Sequence, residues 1–268
     1  MPVKSHFESL FSTSQEPSPE DQARAMFVRE HIPATVNTIL EVGCGSGTVT
    51  RVLAEDRKVT GLELTFAGTH KVRDMGISCV QGSIDSLPFE NDSFDLVLAS
   101  EVLEHLNDEI FSGGLREMTR AVSRYVMVTV PNHERLQLVR RECPRCRTIV
   151  VPWTHIRSFD IDMLEHLFDP IGFAAKEVGP FGPRDVYGQS FLTRLLMLYR
   201  RVFRGMYPGV TCPICLHTVK GKAPHGIPGW RDLLSQPKVE ILHLLDFIAC
   251  RLSPKHSRWL FALYERRG

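Results

Sequence analysis

Short hydrophobic runs alternate with amphipathic stretches along most of the first 178 residues. The hydrophobic runs have the length of buried strands, and apolar positions in the stretches between them recur with a helical period. This alternation is typical of βαβ units, in which helices join parallel strands and cover the sheet. The predicted strands are residues 38–42, 58–62, 78–81, 94–99, 125–130 and 174–178.

The end of the chain predicts one more strand. Apolar residues alternate there at Trp259, Phe261 and Leu263, and we interpret residues 258–268 as a final antiparallel strand of the same sheet. Residues 1–18 lack periodicity and are expected to form a mobile arm. The sheet domain is therefore assigned to residues 19–178, and residues 179–257, which are rich in Pro and Gly, are assigned to an insertion that is a candidate lid.

Composition narrows the function classes only modestly. The 32 Lys and Arg residues balance 31 Asp and Glu residues, giving a net charge of +1, so no global field favours nucleic acid. No stretch has the pattern of a secretory signal or the roughly 20 apolar residues of a membrane span. A cytoplasmic location is expected, where the seven cysteines stay reduced and serve as core residues or metal ligands.

A glycine-rich turn directly follows the first predicted strand. Gly43, Gly45 and Gly47 allow the backbone to turn sharply and approach a ligand closely, where a Cβ would collide. A plain glycine turn is the alternative. The ligand-binding interpretation gains support from Glu63, which ends the next strand twenty residues after Gly43, where a carboxylate can accept hydrogen bonds from ribose hydroxyls.

Five ordered blocks extend this pattern: residues 41–47, 61–63, 81–89, 93–97 and 100–106. Together they resemble the class I methyltransferases that use S-adenosylmethionine (SAM), and the resemblance implies a Rossmann-like, mostly parallel seven-stranded sheet. The resemblance also implies a set of cofactor contacts. Glu41 and the backbone of the three glycines would face the methionine moiety, and Glu63 and Leu64 would face the ribose. Ser83, or Asp85 in its place, and Ile84 would face the adenine, and Ser100 would face the methionine carboxylate or sulfonium. Asp95 would have a structural role.

Two C-P-x-C pairs carry a separate signal. Cys143 and Cys146 follow the fifth strand, whereas Cys212 and Cys215 lie in the insertion. Two such pairs supply the four thiolates of a closed tetrahedral zinc site, which is structural because no coordination position is left open. Parallel strands end on the ligand side of the sheet, so zinc is predicted to staple the helical insertion there. Two unrelated reduced pairs, or an open-site zinc held by one pair and His155, are the alternatives.

Methyl transfer from SAM requires placement of the acceptor and, for a hydroxyl or ammonium acceptor, a base. His133 and His155 are the candidate bases, because both follow strands at the predicted ligand edge. His105 is assigned a structural role beside Glu104.

The resulting hypothesis is a SAM-dependent methyltransferase acting on a small-molecule or sugar-like acceptor through oxygen or nitrogen. An RNA or protein methyltransferase is the first alternative, and a non-catalytic SAM-binding or zinc-mediated interaction module is the second. The basic amphipathic helix predicted at residues 189–204 allows peripheral membrane contact, although burial within the protein is favoured. No nucleic-acid partner is expected, and the oligomeric state is left open.

Overall fold

The computed structural model describes residues 2–12, 16–132, 134, 136, 141–147, 149–150, 154–185, 210–212, 217–219 and 256–268. The chain divides into two compact units. The sheet unit comprises Met1–Glu134, His155–Pro183 and Trp259–Gly268, and the cysteine unit comprises Arg135–Thr154 and Arg184–Arg258.

The sheet unit is built on seven strands in the order β3-β2-β1-β4-β5-β7-β6. Strands β1 to β5 pair in parallel, whereas β7 pairs antiparallel with β5, with Phe261 opposite Thr129. The predicted mostly parallel sheet and the antiparallel final strand are both confirmed. The strands are β1 (Thr38–Val42), β2 (Lys58–Glu63), β3 (Ser78–Gln81), β4 (Phe94–Ser100), β5 (Val122–Pro131), β6 (Phe173–Asp185) and β7 (His256–Arg266).

Six helices and two short 3-10 helices connect the strands of the described part of this unit. Their starts follow capping chemistry: Ser18 and Asp21 form a reciprocal capping box on α2, and the Asn107 side chain accepts the N–H of Ile110 in α5. The helices are α1 (Pro2–Ser12), α2 (Pro19–His31), α3 (Thr48–Leu53), α4 (Phe66–Asp74), α5 (Asp108–Ala121) and α6 (Ile161–His166), and the 3-10 helices are Leu103–His105 and Asp169–Ile171.

Apolar side chains cover both faces of the sheet. On one face, Leu40 and Val97 share a buried cluster with Met118 of α5. On the other, Ile39 shares a cluster with Val28 of α2. Successive strand residues point to opposite faces, so a sheet covered on both faces needs the continuous apolar strands seen in the sequence.

The N-terminal residues differ from the expectation of an arm without regular structure. Residues Pro2–Ser12 form α1, and its side chains contact the sheet unit as described below. Asp95 has the structural role that was predicted, because its carboxylate accepts the backbone N–H groups of Asn37 and Thr38, each at 2.9 Å. These two bonds fix the start of β1 beside β4.

The described part of the cysteine unit contains two short antiparallel hairpins. One pairs Arg141–Glu142 with Ile149–Val150, and the other pairs Val210–Thr211 with Thr218–Val219. The predicted helix at 189–204 lies outside the described residues. Within the part of the chain that is described, every helix falls short of the length and apolar character needed to cross a membrane.

Candidate functional site

The glycine turn after β1 has the left-handed backbone conformation that was expected from its glycines. Gly43, Gly45 and Gly47 have φ angles of 69°, 54° and 83°, in the left-handed region that favours glycine. A Cβ on Gly43 would lie 2.6 Å from the Val102 side chain. The Gly43 N–H donates to the Leu62 carbonyl at 2.7 Å, so the turn is held against the end of β2.

Glu41 is buried at the end of β1, with 2% of its surface exposed. Thr50 Oγ1 donates a hydrogen bond of 2.6 Å to its carboxylate. Burial raises the pKa of Glu41 from 4.5 to about 7, Thr50 and Arg24 lower it, and Glu63 raises it further. A cationic ligand group at this carboxylate would favour the ionised form.

Glu63 joins the glycine turn after β1 to the loop that follows β2. Its carboxylate accepts the N–H of Gly45 and both the N–H and the hydroxyl of Thr65, each at 2.9 Å. A carboxylate has about four acceptor positions, so three are used inside the chain. Glu63 therefore has a structural role in addition to the predicted ribose role. The neighbouring Leu64 carbonyl accepts the Gln81 side-chain amide at 3.1 Å.

The predicted adenine side lies after β3. Ile84 is buried, and the Ser83 hydroxyl donates a short hydrogen bond to the Asp85 carboxylate. Helix α5 approaches closely here, since a Cβ on Gly114 would lie 3.1 Å from Ile84. Ser100, at the end of β4, has its hydroxyl 2.9 Å from that of Thr129. Glu41, Gly43, Glu63 and Ser100 thus lie at the carboxyl ends of adjacent parallel strands.

Helix α1 packs against the glycine turn and the start of α4. The Glu8 carboxylate accepts the N–H groups of Phe66 and Ala67 at 2.9 and 2.8 Å, where α4 begins with its positive dipole end. Phe11 lies 3.0 Å from the Cβ position of Gly45. The sequence interpretation missed this contact, and the available signal was the pair Phe7 and Phe11, whose rings stack at 5.9 Å one helical turn apart.

A second cluster of chemical groups follows β4. Glu104 and His105 lie in the Leu103–His105 3-10 helix, and the Glu104 carbonyl accepts the N–H of Ile156 at 2.8 Å. That bond holds the loop carrying His155 against the 3-10 helix, so the rings of His105 and His155 are 4.7 Å apart, edge to face. His155 Nδ1 lies 2.5 Å from the carboxylate of Glu134. His133, the other predicted base, lies outside the described residues.

Glu101 belongs to the same cluster and has an unusual backbone. Its φ angle is 57°, a left-handed conformation that is uncommon outside glycine and is often found at functional sites. Its N–H donates to the Thr129 carbonyl at 3.0 Å, and its carboxylate accepts the Thr129 hydroxyl at 3.3 Å. Burial raises the pKa of Glu101, whereas Arg24 and His155 lower it. Sequence reasoning gave Glu101 no role.

Three of the four predicted zinc ligands come together in the cysteine unit. The sulfur atoms of Cys143, Cys146 and Cys212 all lie within 4.8 Å of one another, and those of Cys146 and Cys212 are 3.5 Å apart. In a tetrahedral site with zinc–sulfur bonds near 2.3 Å, neighbouring sulfurs are about 3.8 Å apart. Cys143 and Cys212 are fully buried, and Cys215 lies outside the described residues. The donor set present therefore fits zinc.

The comparisons with known proteins agree with this architecture. Residues 39–124 match the family described as "Methyltransferase domain". This match covers less than half of the chain, and together with the strand order it assigns the sheet unit to the fold of class I methyltransferases.

One curated protein to which the chain is similar is phthiotriol/phenolphthiotriol dimycocerosates methyltransferase 1 of Mycobacterium ulcerans, with 35% identity over 103 residues. That alignment covers 34% of this chain and 36% of the relative. A SAM-dependent methyltransferase from Archaeoglobus fulgidus is structurally similar with a TM-score of 0.55 at 14% identity, covering 98% of this chain and 99% of that one.

Two further solved structures are similar over nearly the whole chain. The 1,6-didemethyltoxoflavin-N1-methyltransferase of Burkholderia thailandensis, solved with S-adenosylhomocysteine, has a TM-score of 0.57 at 12% identity, covering 100% of this chain and 88% of that one. The complex of the Haloferax volcanii Trm112 methyltransferase activator with a methyltransferase gives 0.57 at 15% identity, covering 99% and 98%. At these identities the similarity establishes the fold.

Proposed function

We propose that this protein is a SAM-dependent methyltransferase that acts on a small-molecule acceptor. The observation that carries the proposal is the placement of Glu41, the glycine turn and Glu63 at the carboxyl ends of adjacent parallel strands, beside a cluster of histidines and carboxylates. Ligands of open α/β sheets bind at that edge.

The residues present fit SAM in position and charge. Glu41 and the backbone of Gly43, Gly45 and Gly47 would hold the methionine moiety, and Glu63 with Leu64 the ribose. Ser83 and Ile84 would face the adenine, and Ser100 the sulfonium side. The cofactor, when bound, supplies a methyl group already activated by the positive sulfur, so the chain has to orient the acceptor and manage its proton.

The small-molecule acceptor is supported by two similar proteins, the dimycocerosates methyltransferase of M. ulcerans and the 1,6-didemethyltoxoflavin-N1-methyltransferase of B. thailandensis. The Haloferax structure contains a methyltransferase activator, so a protein partner is the alternative interaction. Among the described residues, His155 is the predicted base, and its hydrogen bond to Glu134 is the type that orients catalytic histidines.

A structural zinc on Cys143, Cys146, Cys212 and Cys215 completes the proposal. The buried sulfurs of the first three support it, and thiolate ligation is consistent with the reducing cytoplasm. Zinc would fold the cysteine unit by closing a long loop between the two hairpins. We retain the prediction that this unit serves as the substrate lid.

Incubation with methyl-labelled SAM and fractionated cell extract tests the proposal. We expect label to enter the small-molecule fraction and not the RNA or protein fractions, and to be lost in Gly43→Val, whose side chain would collide with Val102. Label in RNA or protein would identify the rival acceptor class. Absence of label from all fractions, in protein shown to be folded, would oppose an enzymatic role.

A further inference from the structure

Glu104 is a buried carboxylate without a hydrogen-bond donor among the residues that the structure describes. It has no exposed surface, and neither of its two oxygens has a hydrogen-bond partner. His105 Nε2 lies 3.9 Å from Oε1 of Glu104, which is too long for a hydrogen bond. A buried charge without such partners is costly unless it is neutralised or coordinates a cation.

Two imidazoles lie beside this carboxylate. One ligand atom from each of Glu104, His105 and His155 lies within 4.8 Å of the other two. Two histidines and one carboxylate are a known donor set for first-row divalent metal ions that keep open coordination positions. The side chains of His105 and His155 are 13% and 12% exposed, so the cluster is accessible from solvent.

The environment of His155 is that of a metal ligand. Its Nδ1 faces the Glu134 carboxylate at 2.5 Å, which selects the tautomer with a proton on Nδ1 and a lone pair on Nε2. Histidines that bind metals commonly donate their other ring N–H to a carboxylate in this way. The hydrogen bond to Glu134 therefore prepares Nε2 for coordination.

The surrounding charges also favour a cation. Glu101 and Glu134 both lie close enough to Glu104 to act on its carboxylate electrostatically. Arg24 is the opposing positive group, but its guanidinium is paired with Asp21 at 2.9 Å and lies over the Trp259 ring. Three carboxylates thus converge where a divalent ion would relieve their repulsion.

We infer that Glu104, His105 and His155 bind a divalent first-row metal ion, with Glu134 as the residue that positions His155. This inference concerns a metal that is separate from the zinc of the cysteine unit. A second part of the inference rests on the proposed function: the open coordination positions of the metal would take an oxygen of the methyl acceptor. The acceptor would then be a hydroxyl compound.

The chemistry then needs no histidine base. A hydroxyl that coordinates a divalent ion loses its proton to solvent more readily. Its oxygen forms the new bond to the methyl carbon while the carbon–sulfur bond of the cofactor breaks, leaving a neutral thioether. His155 would act as a ligand, and the prediction that it is the general base would be replaced.

Titration of the purified full-length protein with Mn²⁺, followed by the electron paramagnetic resonance signal of free Mn²⁺, tests the site without requiring activity. Mn²⁺ suits nitrogen and oxygen donors and has little preference for thiolates, so the cysteine cluster does not interfere. We expect one saturable site per chain. Glu104→Gln should weaken binding by more than about tenfold, and Glu134→Gln by about 10- to 100-fold as expected for a residue that orients a ligand.

His166→Gln is the matched control, because this exposed histidine at the end of α6 pairs with Asp169 of the following 3-10 helix, and the variant should bind Mn²⁺ as the wild type does. His155→Gln gives a second variant if Glu104→Gln does not fold. Absence of saturable binding, or binding unchanged in Glu104→Gln and His155→Gln, would overturn the inference. A protein that binds Mn²⁺ but not SAM would instead refute the proposed function and leave the metal site standing.

Discussion

Because Glu41 is buried, its carboxylate is expected to destabilise the folded protein at neutral and alkaline pH. The pKa of Glu41 rises from 4.5 to about 7 on folding, mainly through burial. Because its folded pKa exceeds the unfolded value, the folded protein binds the additional proton between these two pH values. Stability from this group is therefore fully present below about pH 4.5, falls as pH rises, and is lost above about pH 7.

The size of the effect follows from the same two values. One pKa unit corresponds to about 1.4 kcal/mol, so the rise from 4.5 to about 7 destabilises the folded state by about 3 kcal/mol at pH 8. Glu41→Gln keeps the shape and removes the charge. We expect the variant to be more stable than the wild type by up to about 3 kcal/mol at pH 8, which is about 6–12 °C in melting temperature for a domain of 150–250 residues.

Thermal melts at pH 5 and pH 8, without cofactor, measure this difference. The two proteins should melt at similar temperatures at pH 5 and diverge at pH 8. Glu90→Gln, which alters an exposed carboxylate, is the control and should follow the wild type at both values. A Glu41→Gln protein that is less stable than the wild type at pH 8 would refute the reasoning, because the buried carboxylate would then be stabilised by partners beyond Thr50 and Arg24.

Three other variants test separate parts of the structure. Glu63→Ala should weaken SAM binding in calorimetry and lower stability by about 2–5 kcal/mol in melts, since the part-buried Gly45 N–H and the buried Thr65 N–H lose their acceptor. An unchanged melting temperature would contradict the importance of these hydrogen bonds. Elemental analysis should find about one zinc per chain in the wild type and much less in Cys212→Ser, which should still bind SAM. Full zinc retention in this variant would exclude Cys212 as a ligand. Glu8→Gln should raise the hydrogen-exchange rates of the Phe66 and Ala67 amides, whereas the control Glu16→Gln should not. Equal exchange rates in the two variants would argue against the capping of α4 by α1.

The sheet and the cofactor turn were predictable because their signals are local. Apolar runs of strand length and a glycine turn that requires positive φ angles are properties of consecutive residues, so the position of Gly43 after β1 could be read directly. The antiparallel strand β7 was likewise visible in the alternation of Trp259, Phe261 and Leu263.

The cluster around Glu104 was not predictable in the same way. Glu101 and Glu104 occur in a block that resembles a family motif, but their burial and the approach of His155 depend on a backbone hydrogen bond between segments about fifty residues apart. Helix α1 was missed because its position depends on the contacts of Glu8 with Phe66 and Ala67, which are about sixty residues away in the sequence. Contacts between distant segments come from tertiary packing, which composition and periodicity do not encode.

Calorimetric titration with S-adenosylhomocysteine tests the central claim most directly, because this product keeps the adenosine and amino-acid groups of the cofactor and lacks only the methyl and the positive charge on sulfur. The account predicts one saturable site per chain, weakened in Glu63→Ala, unchanged in Glu90→Gln, and without comparable binding of NAD. Absence of S-adenosylhomocysteine binding by the folded protein, or equal binding of NAD, would contradict the assignment of the loop between β1 and α3 to SAM.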